Sequence, residues 1–138
     1  MPPLTNSPVD DFLDAIVRGA MASCAVWSPH AVLDATVPDW RFHKRGPAAI
    51  RAEYSTWFAD PAEFKELTRL PTQDGEVVRY LLTWVENGVP HAAHHMHDLT
   101  VSNGQITSDT VMCGGRWPAA LLADMQAAQD AEDAQADG

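Results

Sequence analysis

The sequence contains few cysteines and few basic residues, and each scarcity excludes a class of protein. Cys24 and Cys113 are its only cysteines, too few for a disulfide framework. Nine Lys and Arg residues stand against nineteen Asp and Glu residues, which gives a formal net charge of −10. Nucleic-acid binding needs a basic face, whereas the basic run here is only Arg41, Lys44 and Arg45. We therefore expect no nucleic-acid partner.

Long apolar runs and targeting signals are missing as well. No apolar run approaches the roughly 20 residues that cross a bilayer. The first eleven residues, MPPLTNSPVDD, have neither a basic start nor an apolar stretch, so they do not resemble a secretion signal. We therefore predict a cytoplasmic protein with no membrane partner. With 138 residues, 46% of them hydrophobic, the chain is long enough to form a single domain with its own core.

Helical spacing dominates the start of the chain. Apolar residues recur at three- and four-residue steps from Val9 to Cys24, Ser7 can cap the helix, and Pro8 suits its first position. A second short helix is predicted to reach Trp27. Residues 32–37 are rich in β-branched side chains and predict a strand, and residues 38–46 predict a loop. Another helix follows, beginning at Pro47, with an apolar face formed by Ile50, Tyr54, Trp57 and Phe58.

The hydrophobic period then changes to two, which is the period of a strand. Strands are predicted over residues 64–70, 76–86, 89–101 and 105–113, separated by Asp74-Gly75, Asn87-Gly88 and Asn103-Gly104. Such pairs are strong hairpin signals, so these strands should form an antiparallel meander. Helices followed by a meander predict an α+β domain with helices on one face of a twisted sheet.

The C-terminal part is predicted to be a short helix and a tail. Pro118 begins the helix, whose apolar residues are Leu121, Leu122 and Met125. We assign residues 1–125 to a single domain and residues 126–138 to an acidic, disordered tail.

The first hairpin turn predicts which side chains share a face of the sheet. If Asn87-Gly88 is a two-residue loop, Trp84 lies opposite His91, Tyr80 opposite His95, and Val78 opposite His97. His94 then points to the other face.

The second hairpin leaves two registers open. A two-residue loop sets His97 opposite Thr110, and a three-residue loop with a bulge at Gly104 sets His97 opposite Asp109. We favour the second, because it places Asp109, Val111 and Cys113 on the aromatic-rich face. A carboxylate opposite an imidazole fixes the tautomer of the ring and stabilises its charged form.

Four segments resemble a known family in order and spacing: ATVPDW (35–40), RGPAAIRAEY (45–54), ENGVP (86–90) and SNGQI (102–106). They resemble the NTF2-like superfamily, and within it the SnoaL-like and ketosteroid-isomerase-like branches, over residues 9–117. The resemblance implies a cystatin-like α+β cone, with N-terminal helices packed on a curved antiparallel sheet that encloses an apolar pocket. It also implies a homodimer formed through the outer sheet face.

Ketosteroid isomerases use a general-base Asp together with a Tyr and a protonated Asp as oxyanion donors. Aligning NGVPHAAHHMH with the family's strand puts His97 at the oxyanion-donor Asp. The general base falls at Asp39 if ATVPD is matched directly, or at Ala35 if the preceding helix is the anchor. The family's helix-borne Tyr has no counterpart, because the first helix offers Phe12 and Ile16 at the corresponding face.

These observations predict a cofactor-independent lyase or isomerase for a small apolar, cyclic molecule. His97 would be the general acid–base, Asp109 would orient it, and Asp39 would be a second carboxylate at the pocket mouth. The pocket is predicted to be lined by Trp40, Tyr54, Trp57, Tyr80, Trp84, His91, His95, Val111 and Cys113.

Three alternatives remain open. The same pocket could serve a non-catalytic ligand-binding domain, or the chain could be a dimerisation module whose tryptophans fill the pocket. His91 and His95 could also hold a metal, with Asp109 or Cys113 as a third ligand. That spacing fits no tight metal-binding pattern, so we predict neither a metal nor a cofactor.

Overall fold

The computed structural model describes residues 7–136, which form one six-stranded sheet with helices. In chain order the elements are α1 (Pro8–Arg18), a 3-10 turn (Met21–Ser23), β1 (Trp27–Val37), β2 (Trp40–Arg45), α2 (Pro47–Trp57), β3 (Ala62–Pro71), β4 (Gly75–Glu86), β5 (Val89–Ser102), β6 (Gln105–Pro118) and α3 (Ala119–Ala136).

Helix α1 begins where the sequence predicts it. The side chain of Ser7 accepts a hydrogen bond from the backbone N–H of Asp10 at 3.2 Å, and Pro8 occupies the first turn. The predicted apolar stripe packs on the sheet, with Phe12 and Ile16 fully buried. This helix therefore covers the inner face of the sheet.

The strands lie in the order β2-β1-β6-β5-β4-β3, and the sheet curves without closing into a barrel. Neighbours are antiparallel except β1 and β6, which are parallel. The expected α+β architecture is therefore confirmed. Helices α1 and α2 pack against one face, and a buried apolar core fills the space between them and the sheet.

Two predictions for residues 20–46 are wrong. No second helix reaches Trp27: a 3-10 turn ends at Ser23, and Trp27 begins β1. The predicted loop over 38–46 is largely strand β2, paired with β1 through Val37 opposite Trp40. Asp39 has a positive φ of 65°, which closes a tight turn beside Pro38 and lets the chain double back at once.

The register of the β4–β5 hairpin is confirmed. Asn87 and Gly88 both have positive φ values, 51° and 78°, as a two-residue turn of this type requires. Trp84 lies opposite His91, and Tyr80 opposite His95.

Neither predicted register of the β5–β6 hairpin is correct. The turn is the two-residue Asn103-Gly104, but the pairing shifts between Thr100 and Val101, so His97 faces Val111 and Asp109 faces Leu99. The shift places Asp109 on the inner face of the sheet, which is the face that the predicted three-residue loop also gave it. His97 and Asp109 are therefore diagonal neighbours on the inner face, a spacing at which long side chains still meet.

The C-terminal helix is longer than expected. Strand β6 continues to Pro118, and α3 continues to Ala136, into the stretch predicted as a disordered tail. Its Ala, Gln and Glu residues are good helix formers, which favours a helix there. No residue of α3 is buried. The division of the chain at residue 125 remains a prediction. Over residues 7–136, no helix combines the length and apolarity needed to cross a membrane.

Candidate active site

A cavity of about 380 Å³ opens between α2 and the inner face of the sheet. Its volume is in the range of small-molecule sites. Its walls are mostly apolar and are formed by Val37, Pro38, Thr56, Trp57, Leu82, Trp84, Ala93, His95, Cys113, Gly115 and Arg116.

A buried carboxylate lies beneath this cavity. Asp109 is fully buried, and its Oδ1 lies 3.0 Å from Nδ1 of His97, which is also fully buried. The hydroxyl of Tyr54 on α2 donates to Oδ2 of Asp109 at 2.5 Å. Both carboxylate oxygens are therefore satisfied, as a buried charge requires.

Tyr80 connects this pair to the cavity. Its hydroxyl oxygen lies 2.8 Å from Nε2 of His97 and 2.9 Å from Nδ1 of His95. A hydroxyl has one proton, so it donates to one ring and accepts from the other. Since His95 lines the cavity, a continuous row of hydrogen bonds runs from Asp109 to the cavity wall.

Strand alternation explains the arrangement. His95 and His97 are two residues apart on β5, so both point inward, and Met96 between them is exposed, as is His94 on the other side of His95. Tyr80 lies directly opposite His95 on β4 and therefore reaches both rings.

Burial sets the protonation of the network. It lowers the pKa of His95 to about 3, and electrostatic interactions with His97, His94 and Arg116 act in the same direction. His95 is therefore neutral near neutral pH. Burial and then the charge of Asp109 raise the pKa values of Tyr54 and Tyr80 well above the ordinary value, so both remain phenols. Burial likewise raises the pKa of Cys113, which keeps it a thiol.

The predicted site residues fall into three groups. Trp57, Trp84, His95 and Cys113 line the cavity. His97, Asp109, Tyr54, Tyr80 and Val111 are fully buried behind its walls. Asp39, Trp40 and His91 do not line it.

The prediction for these last three residues is therefore corrected. Asp39 lies exposed in the β1–β2 turn, and Trp40 beyond it is 69% exposed, because the tight turn carries both outward. His91 stacks on Trp84 and lies 3.7 Å from Glu86, which holds it beside the cavity wall.

Two contributions to the site were missed. Tyr54 was expected only as a lining side chain, yet it supplies a helix-borne hydroxyl from α2 where α1 has none. Its place on the apolar face of α2 was the available signal. Arg116 was not considered; it lines the cavity, lies over the Trp84 ring and donates to Glu86 at 2.7 Å. Within residues 7–136, no three His, Cys, Asp or Glu side chains converge as metal ligands.

Comparison with solved structures identifies the fold. An NTF2-like protein of unknown function from Mesorhizobium loti is 19% identical, with 78% of this chain and 88% of that chain covered and a TM-score of 0.63. A candidate polyketide cyclase from Xanthomonas campestris pv. campestris is 19% identical, with 76% and 86% covered and a TM-score of 0.60. A phenazine biosynthesis-related protein from Pseudomonas aeruginosa is 13% identical, with 78% and 79% covered and a TM-score of 0.57.

These similarities establish that the chain has the NTF2-like fold, as its sequence segments predicted. Neither a protein-family model nor a curated protein matches the sequence. At such low identities the fold does not carry an activity with it, so function has to be argued from the cavity and the buried network.

The depressed pKa of His95 predicts a pH-dependent stability. The unfolded chain takes up a proton at the ordinary His value of 6.5, whereas folded His95 resists it down to about 3. The contribution is complete above pH 6.5 and is lost as the pH falls towards 3. Between pH 7 and pH 5, linkage predicts a loss of about 2 kcal/mol from this residue.

Urea denaturation of wild type and His95→Gln at both pH values checks this prediction. The Gln variant, which has no ring to protonate, should lose less stability over the same interval. Exposed His30→Gln is the matched control and should keep the wild-type slope. Equal losses in wild type and His95→Gln would refute the prediction.

Proposed function

We propose that this protein is a cofactor-independent acid–base catalyst of the lyase or isomerase kind, acting on a small apolar, cyclic molecule. The observation that supports it is the buried His97–Asp109 pair, in which Nδ1 of His97 lies 3.0 Å from Oδ1 of Asp109. Tyr80 links this pair by hydrogen bonds to His95, a histidine of the cavity wall. A purely structural network would not need to end at the cavity. Proton transfer by a positioned imidazole is a recurrent source of catalysis, and an adjacent carboxylate fixes the ring tautomer.

The lining of the cavity supports the substrate class. Trp57 and Trp84 present aromatic surface from α2 and β4, and Leu82 adds an aliphatic wall. Such surfaces favour a flat ring system, which stacks without needing many polar partners. The names of two structural neighbours, a candidate polyketide cyclase and a phenazine biosynthesis-related protein, agree with this class. On these grounds we propose that the protein acts like the SnoaL-like and ketosteroid-isomerase-like branches of the superfamily.

The test uses a generic cyclic carbon acid, 2-tetralone, whose activated C–H exchanges with D₂O when a base removes its proton. Proton NMR measures the exchange with wild-type protein, Asp109→Asn and His97→Gln. We expect saturable exchange by wild type and a loss of about 100-fold in each variant, the size typical of removing general acid–base catalysis. Circular dichroism confirms that each variant is folded.

His30→Gln is the matched control, because His30 is an exposed histidine of β1 that does not line the cavity. It should keep the wild-type rate. Saturable binding of 2-tetralone, seen as quenching of tryptophan fluorescence, without any exchange would instead support a non-catalytic carrier and refute the catalyst. Full exchange by His97→Gln would also refute it.

Two further assignments remain proposals: a cytoplasmic location and a homodimer through the outer sheet face. Met96 of β5 lies opposite Met112 of β6, and both are exposed there at 42% and 52%. Exposed apolar patches of this kind favour association. Sedimentation velocity distinguishes dimer from monomer, and a monomer at high concentration would refute the homodimer.

A further inference from the structure

We propose that His95, Tyr80 and His97 form a proton relay in which His95 exchanges the proton with the bound molecule and His97 stores it. This inference rests on the proposed function and assigns the contact with substrate to a different histidine. His97 is fully buried and does not line the cavity, whereas His95 does. A molecule in the cavity therefore meets His95 first, with Tyr80 and His97 behind it.

The direction of the hydrogen bonds is set at the carboxylate end. Asp109 accepts from Tyr54 at one oxygen and lies 3.0 Å from Nδ1 of His97 at the other. A carboxylate only accepts, so Nδ1 of His97 carries a proton. In the neutral ring, Nε2 of His97 then accepts from Tyr80, and the Tyr80 oxygen accepts from Nδ1–H of His95.

That polarity leaves His95 with its proton on Nδ1 and a lone pair on Nε2. Because Nδ1 is engaged by Tyr80, Nε2 is the ring nitrogen left for a molecule in the cavity. A neutral imidazole with a free lone pair is a base. The resting network thus presents a basic nitrogen at the cavity wall.

The transfer balances without any co-reactant. The C–H bond of the bound molecule breaks, its proton binds Nε2 of His95, and the electron pair remains on the molecule. The Nδ1 proton of His95 passes to the Tyr80 oxygen as the Tyr80 proton passes to Nε2 of His97. His97 becomes an imidazolium beside Asp109, and His95 is neutral again with its proton on Nε2. Reversal of the relay returns the proton to the same or a neighbouring carbon.

The charges around the two rings favour storage at His97. The titratable groups packed around them are Tyr54 of α2, Tyr80 of β4, His94 of β5, and Asp109, Cys113 and Arg116 of β6; α1 contributes the apolar ring of Phe12. Burial first, and then electrostatic interactions with His97, His94 and Arg116, disfavour a positive charge on His95 and lower its pKa to about 3. Asp109 stabilises a charge on His97 by electrostatic attraction.

Nitrogen-15 NMR of labelled histidines tests the relay without a substrate. As the pH is lowered until the first of the two rings takes up a proton, we expect His97 to become doubly protonated. In the same step His95 should change from the Nδ1–H to the Nε2–H tautomer while staying neutral. Charging of His95 itself, or a His95 tautomer that does not change with His97, would overturn the proposal.

Tyr80→Phe tests the relay in turnover, because it removes the connecting oxygen and keeps a ring of the same shape. With 2-tetralone we expect kcat to fall about 100-fold with KM unchanged, and the double variant Tyr80→Phe/His97→Gln to be no slower than either single variant. In Tyr80→Phe the His95 tautomer should no longer follow His97.

The failures of the two proposals are distinguishable. If wild type exchanges the probe, Asp109→Asn and His97→Gln are inactive, and Tyr80→Phe keeps the wild-type rate, the relay is wrong and the proposed function stands. If wild type exchanges nothing but the coupled tautomer change is present, the proposed function is wrong and only the coupling between the His95 and His97 rings stands.

Discussion

Asp109→Ala is expected to lower the free energy of unfolding by about 2 to 6 kcal/mol, the cost of leaving two buried donors without an acceptor. The reason is what the substitution leaves behind. The hydroxyl of Tyr54 and Nδ1 of His97 both lose their acceptor, and both side chains are fully buried. Neither can find water without opening the contact between α2 and the sheet. Urea denaturation at pH 7 measures the loss.

Two further variants test whether the loss of stability comes from the unsatisfied buried donors or simply from removing a carboxylate. Asp109→Asn keeps an acceptor oxygen of the same shape and should lose clearly less stability than Asp109→Ala. Asp34→Ala removes a carboxylate from the adjacent strand β1, where it pairs with Arg41 near solvent. Surface pairs contribute little, so Asp34→Ala should change stability slightly. Similar losses for Asp109→Ala and Asp34→Ala would contradict the account.

The sequence correctly predicted the positions of Tyr80, His95 and His97, because these depend on one local turn. Asn87-Gly88 determines the β4–β5 register through its own backbone angles, and that register sets Tyr80 opposite His95. Simple alternation then places His97 on the same face. No information from distant parts of the chain was needed for these side chains, which explains why the prediction is correct.

The pairing of His97 with Asp109 was predicted for an incorrect reason. The actual turn is shorter than the favoured one, and an irregularity after Thr100 compensates for the difference. Strand β6 must pair with β5 on one side and run parallel to β1 on the other. The local sequence of one hairpin does not contain that second constraint, so it cannot predict the shift.

The errors at Asp39 and Trp40 and the omission of the Tyr54–Asp109 bond share a cause. The family resemblance placed the general base at Asp39 because the segment ATVPD matched in sequence, but the turn at Pro38 exposes Asp39 to solvent. The hydrogen bond from Tyr54 joins residues 55 positions apart, across the contact of α2 with the sheet. Helix periodicity placed Tyr54 on an inward face, but only tertiary packing determines which group it meets.

The close packing at Gly75 predicts a loss of unfolding free energy similar to that expected for Asp109→Ala. Gly75 was interpreted as a turn residue of the signal Asp74-Gly75, but the structure gives it another role. A Cβ at Gly75 would lie 1.9 Å from the carbonyl oxygen of Leu99 and 2.9 Å from its carbonyl carbon. Real Cβ atoms do not approach so closely, and the group in the way is backbone of β5, which cannot rotate aside.

Gly75→Ala is therefore expected to cost about 3 kcal/mol or more, at the upper end of overpacking effects. Gly88→Ala is the matched control, since a Cβ there meets nothing within 4 Å and only the positive φ of 78° is strained. That strain costs about 1 to 2 kcal/mol. Urea denaturation compares the two variants. A loss in Gly75→Ala no greater than in Gly88→Ala would mean that β5 yields easily. That result would contradict the steric account of Gly75.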